Sequence, residues 1–159
     1  LMFSATLTGS IISNYEHAFE VMPVLVSFIP MLMDTGGNCG SQSSTLIIRG
    51  LAIDEIKFSD FFKVVFKEFR ISIVVGIMLG IANGIRIVLL NHDVYLAFVV
   101  SASIVVTVMI SKFVGCTLPI IAKKFKMDPA IMAAPLITTI VDTLAIMVYF
   151  AIASQVFNI

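Results

Sequence analysis

Residues 134–150 read Ala-Pro-Leu-Ile-Thr-Thr-Ile-Val-Asp-Thr-Leu-Ala-Ile-Met-Val-Tyr-Phe, an apolar run long enough to cross a bilayer, with one carboxylate, Asp142, near its middle. Backbone N–H and C=O groups at that depth find no water, so the run is expected to be a helix covered by lipid or protein. A charged side chain there costs roughly 2.5–3.5 kcal/mol even on the lenient insertion scale, and such acids are functional by default. At helical spacing Pro135, Thr138, Thr139 and Asp142 share one face. Pro135 has no N–H to donate, which frees the carbonyl of Ile131 four residues back. The face therefore offers a carboxylate, two hydroxyls and loosened backbone oxygen. That is a hard-oxygen surface of the kind that suits Mg²⁺ or Ca²⁺.

Similar runs fill the rest of the chain. Only 13% of the 159 residues are charged and 59% are hydrophobic, against about 25% charged in a soluble domain. The mean hydropathy is +1.08. This composition predicts an all-α, multi-pass protein of the lipid bilayer. A net charge of zero gives no reason to expect a nucleic-acid partner. Cys39 and Cys116 are far apart within apolar segments and read as small buried hydrophobes.

Five transmembrane helices are expected, over residues 1–14 (part of a span), 21–48, 71–90, 94–122 and 130–156. Asp128-Pro129 reads as an N-cap and first helical residue before the fifth. Gly76, Gly80 and Gly84 recur every four residues in the third and form a strip for close helix packing. Between the second and third spans, Phe58, Phe61, Phe62, Val65, Phe66 and Phe69 keep helical spacing. Lys57, Asp60, Lys63, Lys67 and Glu68 lie elsewhere on the wheel. Residues 53–69 are therefore expected to form an amphipathic helix in the membrane interface, or one docked on a soluble domain outside this sequence. Eight of the ten Lys and Arg residues fall in 49–70 and 123–126, on the same side of a five-span chain. The positive-inside rule makes that side cytoplasmic and predicts a cell-membrane protein with its N-terminus inside and its C-terminus outside. His17 and His92 sit in loops with no further ligand close in sequence.

The second span is the unusual one. Gly36, Gly37 and Gly40 fall within five residues and weaken a helix at membrane depth. Around them lie Asp34, Thr35, Asn38, Ser41, Gln42 and Thr45. The expectation is a broken helix whose unwound backbone lines a watery pathway. Asp34, Asn38, Gln42, Thr45 and Arg49 fall on one stripe if the helix runs on.

The core Gly37-Asn38-x-Gly40-x-Gln42 with its Arg49-Gly50-Leu51-Ala52 end resembles the signature of the MgtE family of magnesium channels and transporters. Asp128-Pro129 followed by Pro135-Leu-Ile-Thr-Thr-Ile-Val-Asp142 and Tyr149-Phe150 is similar to a second family motif. The resemblance covers essentially the whole chain. It implies a homodimer of five-span protomers with the ion path on the two-fold axis and Asp142 as the ion-binding acid. It further implies that the Thr138 carbonyl and polar groups near Gly36, Asn38 and Thr139 line the path. Asp34 is added to that set as a second carboxylate. Mg²⁺ is then the transported ion, with Mn²⁺ or Ca²⁺ as other divalent candidates. Mg²⁺ is usually held by one or two carboxylates plus waters, so a pair of Asp142 residues is expected to grip it largely hydrated. No Walker-type glycine loop occurs, which fits a path that does not use ATP. A Na⁺-coupled transporter or exchanger on the same scaffold remains open, since broken helices near the midplane are common there. An intramembrane aspartyl protease using Asp34 and Asp142 is the remote alternative. Its Tyr-Asp and Gly-x-Gly-Asp contexts are absent, because Met33 and Val141 precede the acids, so the chain is read as a transporter rather than an enzyme.

Overall fold

The structure, a computed structural model, describes residues 2–14, 22–130 and 134–158. Those residues are all-helical, as expected. The elements are α1 (Met2–Asn14), a 3-10 turn (Pro23–Phe28), α2 (Ile29–Ala52), a 3-10 turn (Phe58–Asp60), α3 (Phe61–Asn91), α4 (Val94–Lys124) and α5 (Ala134–Phe157). Among the described residues three helical segments are long and apolar enough to cross a membrane: Phe58–Asn91, Val94–Lys124 and Pro135–Phe157. With 24 residues, α2 is about 36 Å long, but its polar stripe dilutes its hydropathy. The 13 residues of α1 reach only about 20 Å.

The expected break in the second span is not at the glycines. α2 runs without interruption through Gly36, Gly37 and Gly40, and no glycine among the described residues has positive φ. Each glycine instead admits a neighbouring helix. A Cβ on Gly36 would come within 2.7 Å of Val141 Cγ1, and one on Gly40 within 2.8 Å of Ile137 Cγ2. One on Gly115 of α4 would run into the Gly40 carbonyl. Helix propensity lost at each glycine, about 1 kcal/mol, is offset by this approach. The irregular part lies upstream, where the Pro23–Phe28 turn hands over to α2 with Pro30 in its first turn.

The second correction concerns residues 53–69. No separate interfacial helix forms. A short turn follows Ala52, and from Phe61 a single helix of 31 residues continues to Asn91, absorbing the span expected at 71–90. No Gly or Pro stands between Phe61 and Val75 to end it. Its first turns split the phenylalanines: Phe62 and Phe66 point outward, while Phe61, Val64 and Val65 pack on a small core of Ile47, Leu51, Cys116 and Ile120. Glu68, grouped in sequence with the polar face, is turned inward.

Packing runs through the small residues. Gly76 and Gly80 meet Val105, and Gly80 and Gly84 meet Ser101, so α3 and α4 are antiparallel and the four-residue glycine strip is their seam. Ser101 Oγ donates to the Gly80 carbonyl at 2.8 Å across it. α2 runs parallel to α4, with Gly36 beside Thr107 and Ser111 and Gly40 beside Gly115. It runs antiparallel to α5, with Gly36 beside Val141 and Gly40 beside Ile137. The main core collects Leu25, Leu32, Val100, Ile104, Ile146 and Phe150. Both cysteines are buried and free, as expected. Tyr149 hydroxyl donates to the Leu25 carbonyl at 2.9 Å and pins the 3-10 turn to α5.

The two basic regions share one end of the bundle. Lys123 Nζ donates to the Leu51 carbonyl at 2.6 Å and lies 3.5 Å from Asp54. Lys124 Nζ stands 4.5 Å above the Phe58 ring.

Candidate metal site

Asp142 sits on α5 and is half-buried. Its Oδ1 would lie 3.9 Å from a Cβ on Gly37, and Thr138 Cγ2 only 3.2 Å from that Cβ. Gly37, Thr138 and Asp142 are therefore brought together, by the close crossing of α2 over α5 and not by unwound backbone. A side chain at position 37 would crowd the face on which the carboxylate lies. Among the described residues no hydrogen bond or ion pair reaches that carboxylate.

Thr138 Oγ1 donates to the Pro135 carbonyl at 3.1 Å, so this hydroxyl engages the first turn of α5. Pro135 is the second residue of that helix. The Ile131 carbonyl, expected to be freed by Pro135, lies outside the described residues. So does the span start expected at 130–133 beyond Ala130. Asp128 Oδ1 accepts from the Ala130 N–H at 2.9 Å, but Pro129 and Ala130 form a turn and not the first helical residues expected after an Asp128 N-cap, and α5 is described from Ala134. Thr139 is half-buried, and its carbonyl accepts from Thr143 Oγ1 at 3.0 Å. Thr143 Oγ1 also lies 3.4 Å from Thr8 Oγ1 on α1.

On α2, Asn38 Nδ2 donates to Asp34 Oδ1 at 3.0 Å. Both side chains are exposed, as are Gln42, Thr45 and Arg49, so the polar stripe lies open on one face of the chain. Gly36 does not join it. It is two residues from both Asp34 and Asn38, hence turned about 200° around the helix, and is buried against Val141, Thr107 and Ser111. Among the described residues no three His, Cys, Asp or Glu side chains gather into a metal-binding cluster. The candidate carboxylates are thus the half-buried Asp142 on α5 and the exposed Asp34 in the polar stripe of α2.

Sequence reasoning missed a second polar centre. Lys112 Nζ on α4 lies 3.2 Å from Glu68 Oε2 on α3 and donates to Ser43 Oγ on α2 at 3.0 Å. Ser43 Oγ in turn donates to Glu68 Oε2 at 2.6 Å. All three residues are buried. The signal was Lys112 itself, a cation inside an apolar run that requires a partner. The partner's identity depends on helices meeting 44 residues apart in sequence.

The MgtE family, described as a divalent cation transporter, matches residues 29–152. The magnesium transporter MgtE of Bacillus subtilis is 38% identical over 154 residues, covering 97% of this chain and 34% of that protein. Those of Thermus thermophilus and Enterococcus faecalis are each 32% identical, over 96% and 98% of this chain and again 34% of each relative. The chain spans about a third of the length of these relatives. The family match takes in α2 through most of α5, and with it Asp34, Asn38, Thr138, Thr139 and Asp142: the chain belongs to the MgtE family of divalent cation transporters.

Proposed function

We propose that this chain forms the membrane domain of a magnesium transporter in which two protomers pair along the open polar face of α2 and α5. A largely hydrated Mg²⁺, as substrate, rests between two Asp142 carboxylates on the two-fold axis. The observation that carries this reading is Asp142 itself, set over Gly37 with no cation or donor reaching it among the described residues. An acid so placed in hydrocarbon is costly, and a dication shared by two of them offsets that cost. The exposed stripe from Asp34 to Arg49 supports the pairing, because polar side chains along a span face water or protein and not lipid. Three helices of bilayer length and the two remaining helical segments support a five-span protomer. The basic end holding Lys123, Lys124 and Arg49 faces the cytoplasm. There the membrane potential drives a divalent ion inward with about 4.6 kcal/mol per 100 mV, twice the single-charge value.

The test is Mg²⁺ flux into proteoliposomes by the wild-type protein, Asp142→Asn and Asp142→Ala. Flux falls at least ten-fold in both variants while folding is retained, and wild-type flux is indifferent to an imposed Na⁺ gradient. Wild-type flux in both variants removes the site, and flux that follows the Na⁺ gradient replaces the channel with an exchanger.

A further inference from the structure

At the basic end of the bundle, a groove of about 880 Å³ opens beside the first turns of α3. Its lining includes Lys63, Lys67 and Arg70. They lie four and then three residues apart and so form one row on the helix. The row continues into Val74 of the same groove, and Ile71 lines it alongside. Val74 is 59% exposed, and Met78 and Ile81 prolong the apolar surface beyond it at 66% and 58%. Phe66 flanks the cations and is also exposed. Among the described residues none of the three cations forms an ion pair or a hydrogen bond. Two acids share the rim, Glu55 and Asp60, and the Asp60 carboxylate is engaged by the Lys57 N–H at 3.1 Å. Three cations against two acids leave the groove net positive.

The length of α3 sets the depth of this row. Its 31 residues make a helix of about 46 Å, close to the full thickness of a bilayer including its headgroups and well beyond the hydrocarbon core of about 30 Å. The apolar stretch after Arg70 fills the core, which leaves Lys63, Lys67 and Arg70 at headgroup level. The groove thus has an anion-binding end in the headgroup layer and an apolar end in the acyl layer, joined along a single helix face.

We infer that this groove is a binding site for an anionic phospholipid, with the phosphate held by Lys63, Lys67 and Arg70 and an acyl chain lying along Ile71 and Val74. Free phosphate matches only the cationic end and leaves the apolar wall unused. The inference does not depend on which ion the protein carries.

The test is lipid retention, read by native mass spectrometry of the purified protein released from nanodiscs of equimolar phosphatidylglycerol and phosphatidylcholine. Each Lys or Arg near an anionic surface is worth about five-fold in binding. The wild-type protein retains phosphatidylglycerol at least ten-fold over phosphatidylcholine. The Lys63→Gln/Lys67→Gln/Arg70→Gln variant loses that preference, while Arg86→Gln, outside the groove, keeps it. Should the triple variant not be recoverable, Lys67→Glu alone lowers the preference and Lys67→Arg preserves it. Equal retention of the two lipids by the wild type, as when a protein segment fills the groove, overturns the inference. So does a preference unchanged in the triple variant or in Lys67→Glu. Displacement of the lipid by millimolar soluble glycerol phosphate also overturns it, since the apolar end then contributes nothing.

Discussion

Replacing Lys112 by Met strands Glu68. Glu68 is 5% exposed, and its carboxylate would keep only the Ser43 hydroxyl at 2.6 Å. Removing one partner of a buried ion pair costs about 3–5 kcal/mol, because the remaining charge is left desolvated without compensation. Methionine matches the lysine stem in length, so packing loss adds little. Replacing both members, as Lys112→Met/Glu68→Met, removes the two desolvation costs together. Such exchanges are often neutral or stabilising. The double variant is therefore expected within about 1–2 kcal/mol of the wild type, and well above Lys112→Met alone. Reversible denaturant unfolding in detergent, followed by circular dichroism, gives the three free energies and the coupling between the sites. A Lys112→Met protein as stable as the wild type would refute the reasoning. So would a double variant that sums the two single losses, because residues in direct contact must couple. The cluster joins α2, α3 and α4, so its loss is expected to loosen the seam between all three.

Two further predictions concern stability. Tyr149→Phe removes the bond to the Leu25 carbonyl, and its loss is expected to cost about 0.5–1.5 kcal/mol in the same unfolding assay. Gly115→Ala places a methyl group into the Gly40 carbonyl, backbone against backbone. The helix gains up to about 1 kcal/mol of propensity, but overpacking of about 1–3 kcal/mol or more outweighs it. A lower melting temperature is expected, and an unchanged or raised one would contradict the close approach of α2 and α4.

Much of the fold was legible because it is periodic. The Gly76, Gly80 and Gly84 strip predicted a helix seam and forms one with Ser101 and Val105. The charges of 49–70 and 123–126 predicted one basic end, and Lys123 and Leu51 meet there. What was illegible depends on tertiary partners. Gly36, Gly37 and Gly40 looked like a break because propensity alone was visible, whereas their helix is held by Val141, Thr138 and Ile137 packing where Cβ atoms would stand. Residues 53–69 looked like a separate helix because their charges and phenylalanines alternate at 3.6-residue spacing. The same spacing serves equally well for the protruding end of a long span. In the candidate site, the face bearing Asp142 and the polar stripe of α2 could be read from spacing, but the contact of Gly37 with Asp142 and the inward turn of Gly36 could not.

The central claim is that a hydrated dication is held between two copies of Asp142. The most direct measurement is a map of the protein in lipid prepared once with Mg²⁺ and once with Mn²⁺, whose stronger scattering marks the bound ion. The account predicts a dimer with density on its two-fold axis beside both Asp142 carboxylates, stronger with Mn²⁺ and lost in Asp142→Ala. A monomer, or a dimer whose Asp142 side chains are enclosed in dry packing with the ion elsewhere, would contradict it.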